Sequence, residues 1–142
     1  MPRQSFPFSE IPIPPSEPFP NGQTVRRPLL RATLRAKTGR RLSCTVCVDS
    51  GADQCIFPLS YALSLGLHPD RMKQQFTSGV GSTDNVTFYE DVEIRVGTRV
   101  AFARAGFTEG LETIGLGLLG QTGFFDQFTV TFDHRAGAFY IE

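Results

Sequence analysis

Several things are scarce in this chain of 142 residues, and each scarcity removes a class of function. There is no long uninterrupted apolar run, which excludes an ordinary membrane-spanning helix. Met1 is followed by a polar, proline-rich stretch without the apolar core of a signal peptide, so the cytoplasm is the expected compartment and no membrane partner is expected. Only three cysteines occur, Cys44, Cys47 and Cys55, and they cannot all pair within one chain. That count suits a reducing compartment better than a disulfide scaffold. Cys44 and Cys47 are spaced as C-x-x-C, but on a strand residues three apart face opposite ways, whereas redox and zinc pairs need converging sulfurs. With His68 and His134 the only histidines, both remote in sequence from the cysteines, no metal site and no cofactor are expected. Net charge is also lacking: the formal value is zero.

The charge is nevertheless unevenly spread. Residues 1–41 hold eight Arg or Lys against Glu10 and Glu17, and the remainder holds six against twelve acids. A basic arm of this kind could touch nucleic acid, and salt-dependent binding lost on deleting residues 1–41 would reveal it. The alternation of Arg31, Arg35 and Lys37 instead suits the solvent face of a strand, and aromatics are not interleaved for base stacking. No nucleic-acid partner is expected.

Residues 1–28 contain eight of the ten prolines and read as an extended arm, either a tether or a segment lying along the body through Phe6, Phe8, Ile11, Ile13 and Phe19. Residues 29–142 read as a single domain. Leu30, Ala32, Leu34 and Ala36 alternate with polar partners, and Thr38-Gly39 turns this strand back into Leu42 to Val48. "FPLSYALSLG" reads as a short helix with Pro58 in its first turn and Gly66 at its end. Val92, Ile94 and Val96 alternate again, and Gly97-Thr98 suits a hairpin turn into Val100 to Ala105. Further strands are expected at Phe128 to Asp133 and Ala138 to Ile141, so the fold class is all-β with one or two short helices.

The segment "TVCVDSGADQCIFP", residues 45–58, carries the chemistry. An aspartate ending an apolar strand is costly if buried without hydrogen bonds. Gly51 allows tight backbone geometry with its N–H close to the Asp49 carboxylate, and the Ser50 hydroxyl can support it. Asp-Ser-Gly is also an ordinary turn sequence, so its context decides.

That context resembles the retropepsin-like aspartic proteases. The segment is similar to their active-site run of two apolar residues and Asp-[Ser/Thr]-Gly-Ala. "LLGQ", residues 118–121, is similar to the apolar-apolar-Gly element that passes beneath the catalytic loop, and "TSGVGSTDN" occupies the place of the flap. The resemblance covers about residues 30–141 and implies a closed, barrel-like single lobe acting as a twofold homodimer. It implies an endopeptidase in which two carboxylates share a proton: one draws a proton from water, the other donates to the substrate carbonyl. One copy of the motif per chain means each subunit supplies one Asp49. Such a pair titrates in two separated steps.

By the same resemblance, Asp49 is catalytic, Ser50 bonds across the dyad and Gly51 contacts substrate backbone. Ala52 and Asp53 line the cleft. Gly79, Val80 and Gly81 form a flap tip that covers a polypeptide substrate, while Leu118, Leu119 and Gly120 support the site. Ile56 and Val80 suggest apolar side chains flanking the cut. Gln121 stands where many retroviral members carry an arginine that bonds the second acid, which bears on how Asp53 is held and how firm the dimer is. "AFYIE" could pair between subunits or close a sheet within one. The alternative is a catalytically inactive dimer of the same fold that binds peptides or serves assembly.

Overall fold

The computed structural model describes residues 2–77 and 85–142. Among them, strands dominate. β4 (Leu29–Ala36) and β5 (Arg41–Val48) form the hairpin expected from their alternation, with Leu30, Ala32, Leu34 and Ala36 all buried. Gly39 takes a φ of 87° in the connecting turn, a conformation open mainly to glycine. β6 (Ile56–Pro58) leads into the helix α1 (Leu59–Ser64), shorter than the sequence suggested. Pro58 caps this helix from outside its first turn, and Gly66 follows its end with a φ of 74°. β7 (Lys73–Thr77), β8 (Asn85–Val96), β9 (Arg99–Thr108) and β10 (Gly117–Leu119) complete the main sheet.

The order of that sheet is β4-β5-β10-β6-β9-β8-β7, and β8 is long enough to use one edge twice. Its first part pairs with β7 through Tyr89, and its second part pairs with β4 from Val92 to Arg95. The β4–β8 pairing closes six strands into a barrel, which removes their free edges. Inward-facing Leu34, Val46, Phe57, Ile94, Phe107 and Leu119 are fully buried. Each such side chain stabilises the fold by about 1.5–3 kcal/mol through area removed from water. No helix among the described residues is long and apolar enough to cross a membrane.

The residues before Pro28 form three strands: β1 (Gln4–Pro7), β2 (Ser9–Ile13) and β3 (Gln23–Arg27). β11 (Val130–Asp133), which starts two residues later than expected, and β12 (Ala138–Ile141) close the chain. The intervening segment is used for a compact turn in which Phe128 N–H donates to Phe124 O at 3.1 Å. β12 lies between β1 and β11, so both its edges are filled within one chain. Of the two roles open to "AFYIE", the structure shows closure of a sheet within the subunit. Phe139 is fully buried beneath this sheet, with Phe6 stacked on it at 5.6 Å and Phe8 tilted against it at 5.3 Å. β2 and β3 make a separate two-stranded hairpin.

Candidate active site

β5 runs through the barrel wall and delivers Asp49 at its end. Val48 N–H donates to Pro28 O at 3.0 Å and Asp49 N–H donates to Leu119 O at 2.9 Å, so the chain is held from both sides as it leaves the sheet. The turn then closes on itself. Gly51 N–H donates to Asp49 Oδ1 at 2.9 Å, and Ala52 N–H donates to Asp49 O at 3.1 Å. A carboxylate that receives a backbone N–H at this distance is held in one orientation by a charge-assisted bond. A Cβ at position 51 would stand 3.1 Å from that same oxygen, a tight approach that glycine avoids.

β10 passes directly beneath. Leu118 and Leu119 pair with Cys47 and Val48 in parallel register, and Leu119 is fully buried. Gly120 has no room for a side chain: a Cβ there would meet the backbone oxygens of Gln54 and Ala52, the latter at 2.6 Å. That close approach lets Gln121 N–H reach Ala52 O and Thr122 N–H reach Asp53 O, both at 2.9 Å. The Gln121 side chain adds a third tie, donating from Nε2 to Ser50 O at 2.8 Å. Below the turn, Tyr89 on β8 donates its hydroxyl to Gln54 Oε1 at 2.7 Å, linking the barrel wall to the loop.

The structure thus brings Asp49, Ser50, Gly51, Ala52 and Asp53 together with Leu118, Leu119, Gly120 and Gln121. Gly79, Val80 and Gly81 lie outside the described residues. Asp49 is half-buried in the single chain, beside the exposed Ser50 and Gly51. Ile56 is buried at 7% exposure on a strand paired on both sides by β10 and β9. Asp53 is exposed, held through its backbone carbonyl.

Sequence reasoning missed the Pro28 carbonyl, the Gln54 to Tyr89 bond and the partner of Gln121. Their partners lie 20, 35 and 71 residues apart, and no local pattern marks such pairs.

The cysteines behave as packing groups. Burial pushes the Cys44 and Cys55 thiols up to about 11. Cys47 is raised by its own burial and by the negative charge of Asp49, with Arg27 pulling the other way. Cys44 is buried and Cys47 half-buried, alternating as strand geometry requires. No group of three or more His, Cys, Asp or Glu side chains suited to a metal ion occurs among the described residues. A groove of about 590 Å³ lined by Arg35, Asp91, Phe102 and Arg104 lies on the outer barrel wall and shares no residue with the Asp49 loop.

This architecture is similar over 99% of the chain to the crystal structure of a retropepsin-like aspartic protease from Rickettsia conorii, covering 95% of that chain with a TM-score of 0.57. The chain has the retropepsin-like fold. Sequence identity over the match is 16%, so the likeness is one of fold. No family model and no curated protein sequence matches the chain. Within this retropepsin-like fold, the close approach of Gly120 and the bonds from Gln121 and Thr122 hold residues 49–53 against the barrel.

Proposed function

We propose that the protein is an aspartic endopeptidase, with residues 29–142 as the protease domain and a homodimer as the working unit. The observation that carries this reading is the Gly51 N–H bond to Asp49 Oδ1 at 2.9 Å, at the exposed end of a strand in a retropepsin-like fold. The bond orients one carboxylate outward in a rigid turn, as general acid–base chemistry requires. A single carboxylate cannot both draw a proton from water and donate one to the substrate carbonyl oxygen. Two copies related by a twofold axis supply an Asp49 each, and their mutual repulsion keeps one proton shared between them. The ionised member takes a proton from the attacking water, and the protonated member stabilises the oxygen of the tetrahedral intermediate.

In this reading Ser50 bonds across the dyad, Gly51, Ala52 and Asp53 contact the extended polypeptide, and Gly79, Val80 and Gly81 cover it. The reading needs neither metal nor cofactor, and it requires no nucleic acid or membrane. The test is cleavage of a peptide library from acidic to neutral pH by wild type and Asp49→Asn. The amide preserves shape but cannot act as base, so cleavage should be lost with the mass in solution unchanged. A dimeric wild type that cuts nothing across this range would instead support a peptide-binding module.

A further inference from the structure

The β2–β3 hairpin is built like a finished element yet pairs with no other strand among the described residues. Its register runs from Ser9 opposite Arg27 to Ile13 opposite Gln23. Its tip is ordered by reciprocal backbone bonds between Ser16 and Phe19 at 3.0 and 3.1 Å, and Gly22 N–H donates to Phe19 O at 2.9 Å. Gly22 takes a φ of 76°, and a Cβ there would stand 2.7 Å from Ile13 O, so the turn is specific to glycine. The base is pinned as well. Phe8 N–H donates to Gly137 O at 3.1 Å, Arg26 donates to His134 O, and Arg26 pairs with Glu10 at 3.7 Å. Despite this construction, not one residue from Ser9 to Arg27 is buried. Phe19 is 46% exposed and Ile13 37%, with Ile11 and Val25 half-exposed between them.

A two-stranded hairpin is marginal in water unless a third layer covers it. Among the described residues no strand pairs with the hairpin as a third, and the location of its base indicates what covers it. The hairpin returns to the body at Arg27, and the next residue, Pro28, accepts the Val48 N–H immediately before Asp49. In the β4–β5 register Leu29, two residues on from Arg27, lies opposite Cys47, two residues before Asp49, so the base of the hairpin and Asp49 sit at the same end of this strand pair. If two Asp49 side chains meet, a second copy abuts this very region.

We infer that the β2–β3 hairpin is an intersubunit arm whose apolar residues, Ile11, Ile13, Phe19 and Val25, pack on a second copy of this chain beside the paired Asp49 loops. The inference rests on the dimeric reading of the active site. It assigns the arm a partner and makes subunit association depend on residues outside the protease domain.

The experiment uses the full chain carrying Phe19→benzoylphenylalanine, mixed in equal parts with its ¹⁵N-labelled counterpart and irradiated. Cross-linked peptides that join labelled to unlabelled chains are the expected result. Cross-links confined to one chain, or none, overturn the proposal. In parallel, sedimentation of Ile13→Asp and Phe19→Asp should show the dimer dissociation constant raised by about tenfold or more, since a charge replaces an apolar anchor of the interface. Their unfolding when monomeric should match wild type, and unchanged dissociation overturns the arm. Asp49→Asn separates the two readings. Loss of cleavage in this variant without mixed cross-links leaves the protease standing and removes the arm. Mixed cross-links with no cleavage by wild type leave the arm and remove the protease.

Discussion

Gln121 Nε2 donates to the carbonyl of Ser50 at 2.8 Å, joining the strand that crosses beneath the turn to the turn itself, 71 residues away in the chain. Together with the backbone bonds from Gln121 to Ala52 and from Thr122 to Asp53, it makes three ties on the loop within residues 50–53. A neutral amide here holds backbone, and Asp53 keeps an exposed side chain.

Gln121→Leu removes one donor while leaving the Ser50 carbonyl accessible to water. The stability cost should be modest, about 0.5–1.5 kcal/mol in urea unfolding. Peptide cleavage should fall further than that cost implies, because the turn that orients Asp49 is loosened. Equal losses in both measurements would show that the amide is merely structural.

Gly120→Ala should be among the most damaging small changes in the chain. Its methyl would press on the backbone oxygens of Ala52 and Gln54, which have no side-chain freedom to yield. The expected cost lies at or above the upper end of ~1–3 kcal/mol for overpacking. Gly39→Ala is the comparison: nothing lies within 4 Å of its Cβ, and its cost comes from a φ of 87° alone, about 1 kcal/mol. Denaturant midpoints of the two variants check the order.

Tyr89→Phe deletes the hydroxyl that reaches Gln54 Oε1 at 2.7 Å. The loss should be about 1 kcal/mol, and the double variant with Gln54→Leu should cost less than the sum of the two singles. Additive costs would mean that the barrel wall and the loop are not coupled through this bond.

Stability should decline in alkali for an identifiable reason. Cys44 and Cys55 have thiols raised to about 11 by burial, from the 9.0 of an unperturbed thiol. Between those values the folded chain keeps protons that the unfolded chain has released. Their contribution is therefore complete below the unfolded value and is lost as pH rises through about 11. Each thiol adds a slope on the order of 1 kcal/mol per pH unit in that window. Urea unfolding of wild type, Cys44→Ala and Cys55→Ala between these pH values should show the slope flattening in each variant.

Local pattern was enough for a large part of this protein. The alternation of Leu30, Ala32, Leu34 and Ala36, and of Val92, Ile94 and Val96, placed β4 and β8 and their buried faces, because side-chain direction along a strand repeats every two residues. Gly39, Gly66 and Gly97 marked turns by their tolerance of positive φ. The Asp-Ser-Gly-Ala run and the Leu-Leu-Gly element could be read as parts of one site, and Gly51 as the source of the N–H bonded to Asp49. Tertiary structure alone decided the rest: that Gln121 ties down Ser50, that Tyr89 reaches Gln54, that β12 is closed on both edges by β1 and β11, and that β2 and β3 form a sheet of their own. Those contacts join positions far apart in sequence, so they are set by barrel closure and strand register, quantities that no local run of residues encodes.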